Sequence, residues 1–294
     1  MGVTVREARN GFALEIAGVA LWEEPSKETV HEIRAHWRDR GVLVFRRQAL
    51  SEVELFRFSA HFGRPERVVR TDWASQVVPE VGIISNLRDG KGNALGGLGD
   101  GEVQWHTDQS FMRDPATGCL LYAAEVPPGA GDTLWASLGL AYSGLPHALR
   151  SRIEGRQGVF SYAKRLAGYG EADRTITAEM RARTPDVIHD LVQRNPSTGR
   201  LSLYFDPTTT VAIVGMPASE AKAVLDDLTA FCVQPEFVYR HQWQVGDVVM
   251  WDNGFLLHRR DPFDPAQRRL MKRTTLALPK ANHVVPQGHL AEAA

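Results

Sequence analysis

The sequence predicts an α+β protein, mainly β, built on a barrel or sandwich. Three observations carry that expectation. Helical periodicity opens the chain, short apolar runs separated by turn signals dominate from residue 118 onward, and no Pro/Gly/Ser-rich linker divides the 294 residues. One domain over 1–294 is therefore expected, because barrels of this length commonly form a single unit.

Residues 26–40 read as a helix with Ser26 as N-cap, Val30, Ile33 and Trp37 on one face, and Gly41 as the stop. A short strand follows at Val42–Arg46. Residues 51–62 form a second helix: Ser51 caps it, Glu54 completes a capping box, and Leu55, Phe58 and Phe62 make its apolar side. Residues 86–104 are a glycine-rich loop without Walker spacing, placed where an active-site loop would be. The runs CLLYAAEV and DTLWAS are strands joined through PPGAG. Residues 138–152 and 173–184 read as helical, as does Ser219–Cys232 with Ser219 as its cap. LSLYF, VAIVG, FVYRHQW, DVVMWD and TTLAL read as strands.

Composition narrows the class. A hydrophobic share of 43% supports a sizeable core, and a net charge of -1 gives neither nucleic acid nor an anionic membrane anything to attract. Two distant cysteines, Cys119 and Cys232, read as buried free thiols. No signal-like or membrane-length apolar run occurs, so a cytoplasmic location is expected. Assembly into a homo-oligomer is compatible with all of this.

The sharpest chemistry lies at Trp105-His106-Thr107-Asp108. In a strand, residues i and i+2 share a face, so His106 and Asp108 are expected to offer an imidazole nitrogen and a carboxylate oxygen to one point. Oxygen-activating Fe(II) takes two histidines and one carboxylate on one face of an octahedron, which leaves positions open. His258, after the strand-like run 246–253, is the candidate second histidine. Downstream, residues 268–276 read as a strand that turns Arg269 and Arg273 to one face around Met271. Two guanidiniums facing one interior require anions. A dicarboxylate such as 2-oxoglutarate supplies one, and an acidic substrate a second. Trp105, Phe111, Trp135 and Trp251 are candidates for an apolar shell. The other histidines have no partner at metal spacing, and the Arg259-Arg260 pair reads as solvated charge.

WHTDQSF at 105–111, AAEVPPGAGDTLWAS at 123–137, WDNGFLLHR at 251–259 and QRRLMKRTTL at 267–276 together resemble the taurine dioxygenase (TauD/TfdA-like) family of Fe(II)/2-oxoglutarate-dependent oxygenases. The resemblance covers about residues 10 to 280. It implies a double-stranded β-helix, or jelly roll, with flanking helices. It implies O2-dependent oxidation, by default hydroxylation, of a C–H bond in a small, anionic organic substrate, with 2-oxoglutarate becoming succinate and CO2. It assigns His106, Asp108 and His258 to iron, and Arg269 with Thr133 to the distal carboxylate of 2-oxoglutarate. Arg273 looks like the arginine near the substrate's anionic group, and Gln109, Phe160 and Tyr204 fall near pocket-lining positions. The chain departs from the family pattern in the 86–104 loop, where Glu102 either meets a cationic substrate or faces water. A non-catalytic metal-binding jelly-roll sensor and a metal-dependent hydrolase are the rival readings; the presence of all three ligands and both arginines argues against the first, and Arg269 with Thr133 discriminates against the second.

Overall fold

The computed structural model describes residues 3–8, 12–68, 70–168 and 184–291. Two sheets stack face to face. The larger, nine-stranded one runs in hydrogen-bonded order Thr4–Glu7, Ala13–Ala17, Val42–Phe45, Val248–Asp252, Gly118–Glu125, Leu270–Ala277, Val81–Ser85 and Gly97–Leu98, with Arg64–Pro65 also pairing Leu270–Ala277. The smaller has the order Val238–His241, Thr133–Ser137, Leu256–Arg260, Val103–His106. This is the expected jelly-roll core.

The central strands Val42–Phe45, Gly118–Glu125 and Val248–Asp252 are almost wholly apolar because both of their faces are covered. Val42, Val44, Cys119, Leu121, Val249 and Trp251 point inward and meet Trp135 and Leu256 of the smaller sheet. Their neighbours Leu43, Phe45, Leu120, Tyr122, Val248 and Met250 point outward, against Ile33 and Trp37 of the Lys27–Arg40 helix and Leu55 and Phe58 of the Glu52–Ala60 helix. The outer face of the smaller sheet (Leu134, Ala136, Leu257) packs against Leu138, Val224 and Leu228.

The predicted caps on the first two helices are present. Ser26 accepts from the Thr29 N–H, Gly41 ends the first helix at φ 79°, and Ser51 and Glu54 form the reciprocal capping box. Two other helices differ from expectation. Residues 138–152 split into Leu138–Gly144 and His147–Arg150, because Pro146 holds Leu145 in extended backbone (ψ 128°). The later helix is Ala218–Cys232, starting after Pro217 with no side-chain cap, so Ser219 lies inside its first turn. The helix expected at 173–184 falls outside the described residues, apart from Thr184. Among the described residues no helix is long and apolar enough to cross a membrane.

Candidate active site

His106 ends the Val103–His106 strand, and His258 lies in Leu256–Arg260; the two are direct cross-strand partners. That pairing brings their ring centroids to 4.1 Å. Asp108 arrives differently from the expectation. The strand stops at His106, so a shared strand face does not place the carboxylate. It sits instead in the turn that follows, where Gln109 adopts φ 55°. The turn bends the carboxylate back: its oxygens lie 3.8 Å from His106 Nε2 and 3.8 Å from His258 Nε2. All three side chains are buried, and their candidate ligand atoms lie within 4.8 Å of one another.

The turn is held from outside. Thr107 Oγ1 donates to the Asn253 carbonyl at 2.9 Å, and Ser110 Oγ donates to Asp206 Oδ2 at 2.7 Å. Asp206, wholly buried, also accepts from the Thr107 N–H, and from both the N–H and hydroxyl of Thr208. Sequence reading did not single Asp206 out, and only its apolar surroundings (LYFDP) hinted at a buried acid. Cys119, a buried free thiol as expected, donates to Asp108 Oδ2 at 3.4 Å.

The protonation pattern suits a divalent cation. His106 Nδ1 lies 2.7 Å from the Gln104 carbonyl, a contact that places its proton on Nδ1 and leaves the Nε2 lone pair facing Asp108. Burial lowers both imidazole pKa values, His258 to about 4, so both rings are neutral at physiological pH. Burial opposes ionisation of Asp108, but charge attraction led by the Arg273 guanidinium outweighs it and holds the carboxyl well below the usual carboxylate range. Two neutral imidazoles and one carboxylate fit the donor set of a non-haem Fe(II) centre.

A pocket opens beside the triad, lined by His106, His258, Thr133, Trp251, Arg269 and Arg273 among others. It therefore collects five residues that the sequence placed in one site. Arg269 is 1% exposed, its Nε has no hydrogen-bond partner, and its nearest ring is Phe263, 5.8 Å from the guanidinium carbon. Burial and the neighbouring Arg260 cation push its pKa down to about 9, which leaves it charged at neutral pH. Its backbone is locked on both sides, by Asn86 Oδ1 on the N–H and Ser85 Oγ on the carbonyl. Arg273 approaches the rim, with Nη1 3.3 Å from Asp108 Oδ1.

Other expectations are redirected. Phe160 and Tyr204 do not line this pocket: they are fully buried against each other, ring centroids 5.7 Å apart, and against His189. Gln109 shapes the turn through its backbone and is likewise absent from the pocket wall. Glu102 is half-exposed and paired with Arg259 at 3.0 Å. Trp105 lies on the outer side, 5.6 Å from the Arg259 guanidinium, and Phe111 packs against Tyr162 with the rings tilted, whereas Trp135 and Trp251 are interior. Arg260, read from sequence as solvated, is buried and donates to the carbonyls of Leu98, Gly99 and Gly101. The signal was available: Arg260 is two residues after His258 on one strand and so shares its face. Through Arg260 the glycine loop becomes a wall of the pocket, with Leu98 contributing.

The family model for the taurine catabolism dioxygenase TauD, TfdA family matches residues 4–275. The chain is 33% identical over 288 residues to an alpha-ketoglutarate-dependent 2,4-dichlorophenoxyacetate dioxygenase of Cupriavidus pinatubonensis, covering 94% of this chain and 98% of that protein. It is 35% identical to pentalenolactone F synthase of Streptomyces avermitilis, over 79% of this chain and 80% of the relative. Among solved structures it resembles AAD-2 in complex with Mn(II) and N-oxalylglycine, with TM-score 0.80, 28% identity, and coverage of 95% and 98% of the two chains. The chain belongs to the TauD, TfdA family and is an Fe(II)- and 2-oxoglutarate-dependent dioxygenase acting on a small organic molecule with O2.

Proposed function

We propose that His106, Asp108 and His258 hold the iron, that Arg269 and Thr133 hold the distal carboxylate of 2-oxoglutarate, and that Arg273 receives the carboxylate of an aryloxy- or alkyl-carboxylic acid substrate, which is hydroxylated. The observation that carries this reading is Arg269. A guanidinium 99% removed from solvent, with no acidic side chain among the groups that shift its pKa, is costly unless an anion meets it. A hydroxyl stands ready beside it: Thr133 Oγ1 accepts from the Trp243 indole N–H at 2.9 Å, which leaves its own proton to be donated. When bound, the iron couples O2 activation to decarboxylation of 2-oxoglutarate. The chain's part is to orient both acids and to keep water away with Ile84, Leu121 and Trp251.

Arg273 is the cation with access, its side chain 24% exposed against an interior Arg269. Relatives named for 2,4-dichlorophenoxyacetate and (S)-phenoxypropionate support an aryloxyalkanoate as the first class to try. Under anaerobic conditions, Fe(II) followed by 2-oxoglutarate should give the visible metal-to-ligand charge-transfer band. That band should vanish in His258→Ala and in Arg269→Ala, with the metal retained only in the latter. Succinate release should then be followed across aryloxy and alkyl carboxylates. Turnover of every active acid unchanged in Arg273→Ala would remove Arg273 from substrate recognition.

A further inference from the structure

Three of the four residues 96–99 are glycine, and the exception has the backbone that suits glycine best. Leu98 sits at φ 66°, in the left-handed region that a leucine enters only at a cost. Its two preceding neighbours are small for want of space: a Cβ on Gly96 would strike the Ile83 carbonyl, and one on Gly97 the Trp73 ring. Leu98 therefore keeps a side chain where its own backbone favours none. Strain of this kind persists where the surroundings hold it and a site uses it.

The side chain is partly buried against the inner core that contains Ile84 and Leu121, and with them it lines the reaction pocket. Its backbone is fixed at the Arg269 end of that pocket. Leu98 pairs with Ser85 where the Val81–Ser85 and Gly97–Leu98 strands run parallel, and Ser85 Oγ donates to the Arg269 carbonyl at 2.9 Å. On its other side the Leu98 carbonyl accepts from Arg260 Nη2, also at 2.9 Å. Arg260 and Arg269 in turn share one ring, their guanidinium carbons 5.4 Å and 5.8 Å from the centre of Phe263. A wall residue tied from both sides yields little to a larger ligand.

We propose that Leu98 is a specificity-determining residue for the co-substrate: its side chain limits the room beside Arg269 and selects a five-carbon 2-oxo diacid over a longer one. The inference rests on the assignment of Arg269 and Thr133 to the distal carboxylate. A diacid held at both ends has to accommodate an added methylene sideways, against the apolar wall that Leu98 completes.

The test compares 2-oxoglutarate with 2-oxoadipate, one methylene longer, as ligands of the anaerobic Fe(II)-loaded protein, with dissociation constants read from the charge-transfer band. The parent should prefer 2-oxoglutarate by about tenfold or more, the range that one methylene commands in an apolar pocket. Leu98→Gly should narrow that ratio by about tenfold, and Leu98→Ala should narrow it in the same direction. Should Leu98→Gly fail to fold, Leu98→Ala carries the same criterion. The glycine variant should also melt about 2 °C or more above the alanine variant, the reverse of their order in an ordinary strand, because only glycine relieves the left-handed backbone. A parent that binds both diacids equally, a ratio unchanged in the variants, an equal loss of affinity for both diacids, or alanine melting above glycine would each overturn the proposal. Retention of the 2-oxoglutarate band in Arg269→Ala would overturn it together with the assignment on which it rests.

Discussion

The indole N–H of Trp243 donates to the hydroxyl of Thr133 at 2.9 Å, across 110 residues of sequence. The tryptophan thereby occupies the hydroxyl as an acceptor and leaves its own proton to be donated. Trp243→Phe should raise the KM for 2-oxoglutarate about fivefold, the worth of one neutral hydrogen bond, without altering Fe(II) affinity. Combined with Thr133→Val the two effects should not add. Additive losses in a double-mutant cycle would show that Trp243 only packs.

Replacing Arg269 by Met should separate stability from function. An interior cation without an acidic partner opposes folding of the metal-free protein, and its hydrophobic replacement is neutral or stabilising by about 1–3 kcal/mol. Chemical denaturation should therefore find Arg269→Met at least as stable as the parent, while 2-oxoglutarate binding is lost. A large destabilisation would mean that the guanidinium is satisfied within the protein.

Asp206 should behave in the opposite way. It is wholly buried and accepts four hydrogen bonds, from the Thr107 N–H, the Ser110 hydroxyl and both donors of Thr208. Asp206→Ala leaves those donors orphaned and should cost about 3 kcal/mol or more. Because Thr107 and Ser110 flank Asp108, Fe(II) affinity measured by calorimetry should fall as well. Stability lost with metal affinity intact would uncouple Asp206 from the turn.

Acid sensitivity should trace partly to His189. Its Nε2 lies 3.1 Å and 3.0 Å from the Ser110 and Met112 carbonyls, and burial lowers its pKa from 6.5 to about 4. Between those two values the unfolded chain binds a proton that the folded one does not. Stability is therefore complete above pH 6.5 and falls progressively toward pH 4, by roughly 2–3 kcal/mol for this group. In urea titrations across that interval, His189→Gln should show a shallower pH dependence. An unchanged slope would locate the acid sensitivity in other groups.

Much of the fold was legible because its determinants are local. The caps at Ser26 and Ser51 act over three residues, and the apolar alternation of Leu120, Leu121 and Tyr122 acts over two. Strand alternation turned Arg269 and Arg273 to one interior in advance, and the motif pointed to His106 and His258, whereas Thr133 was named only through the family resemblance; the pocket collects all five. Where a local rule was carried past the end of its element it failed: Asp108 reaches the triad by a turn, and Pro146 interrupts a helix whose periodicity looked continuous.

Tertiary structure alone decided the rest. Nothing local announces that Asp206 will meet Ser110, 96 residues away, or that Arg260 will thread the carbonyls of Leu98 and Gly99. Nor could sequence show Phe160 and Tyr204 turning to each other and His189 and away from the pocket. The alphabet of ligands was written in the sequence because metal and anion chemistry demand particular side chains. Which buried donors and acceptors find one another depends on contacts between segments far apart in the chain, and those exist only once the two sheets have closed on their core.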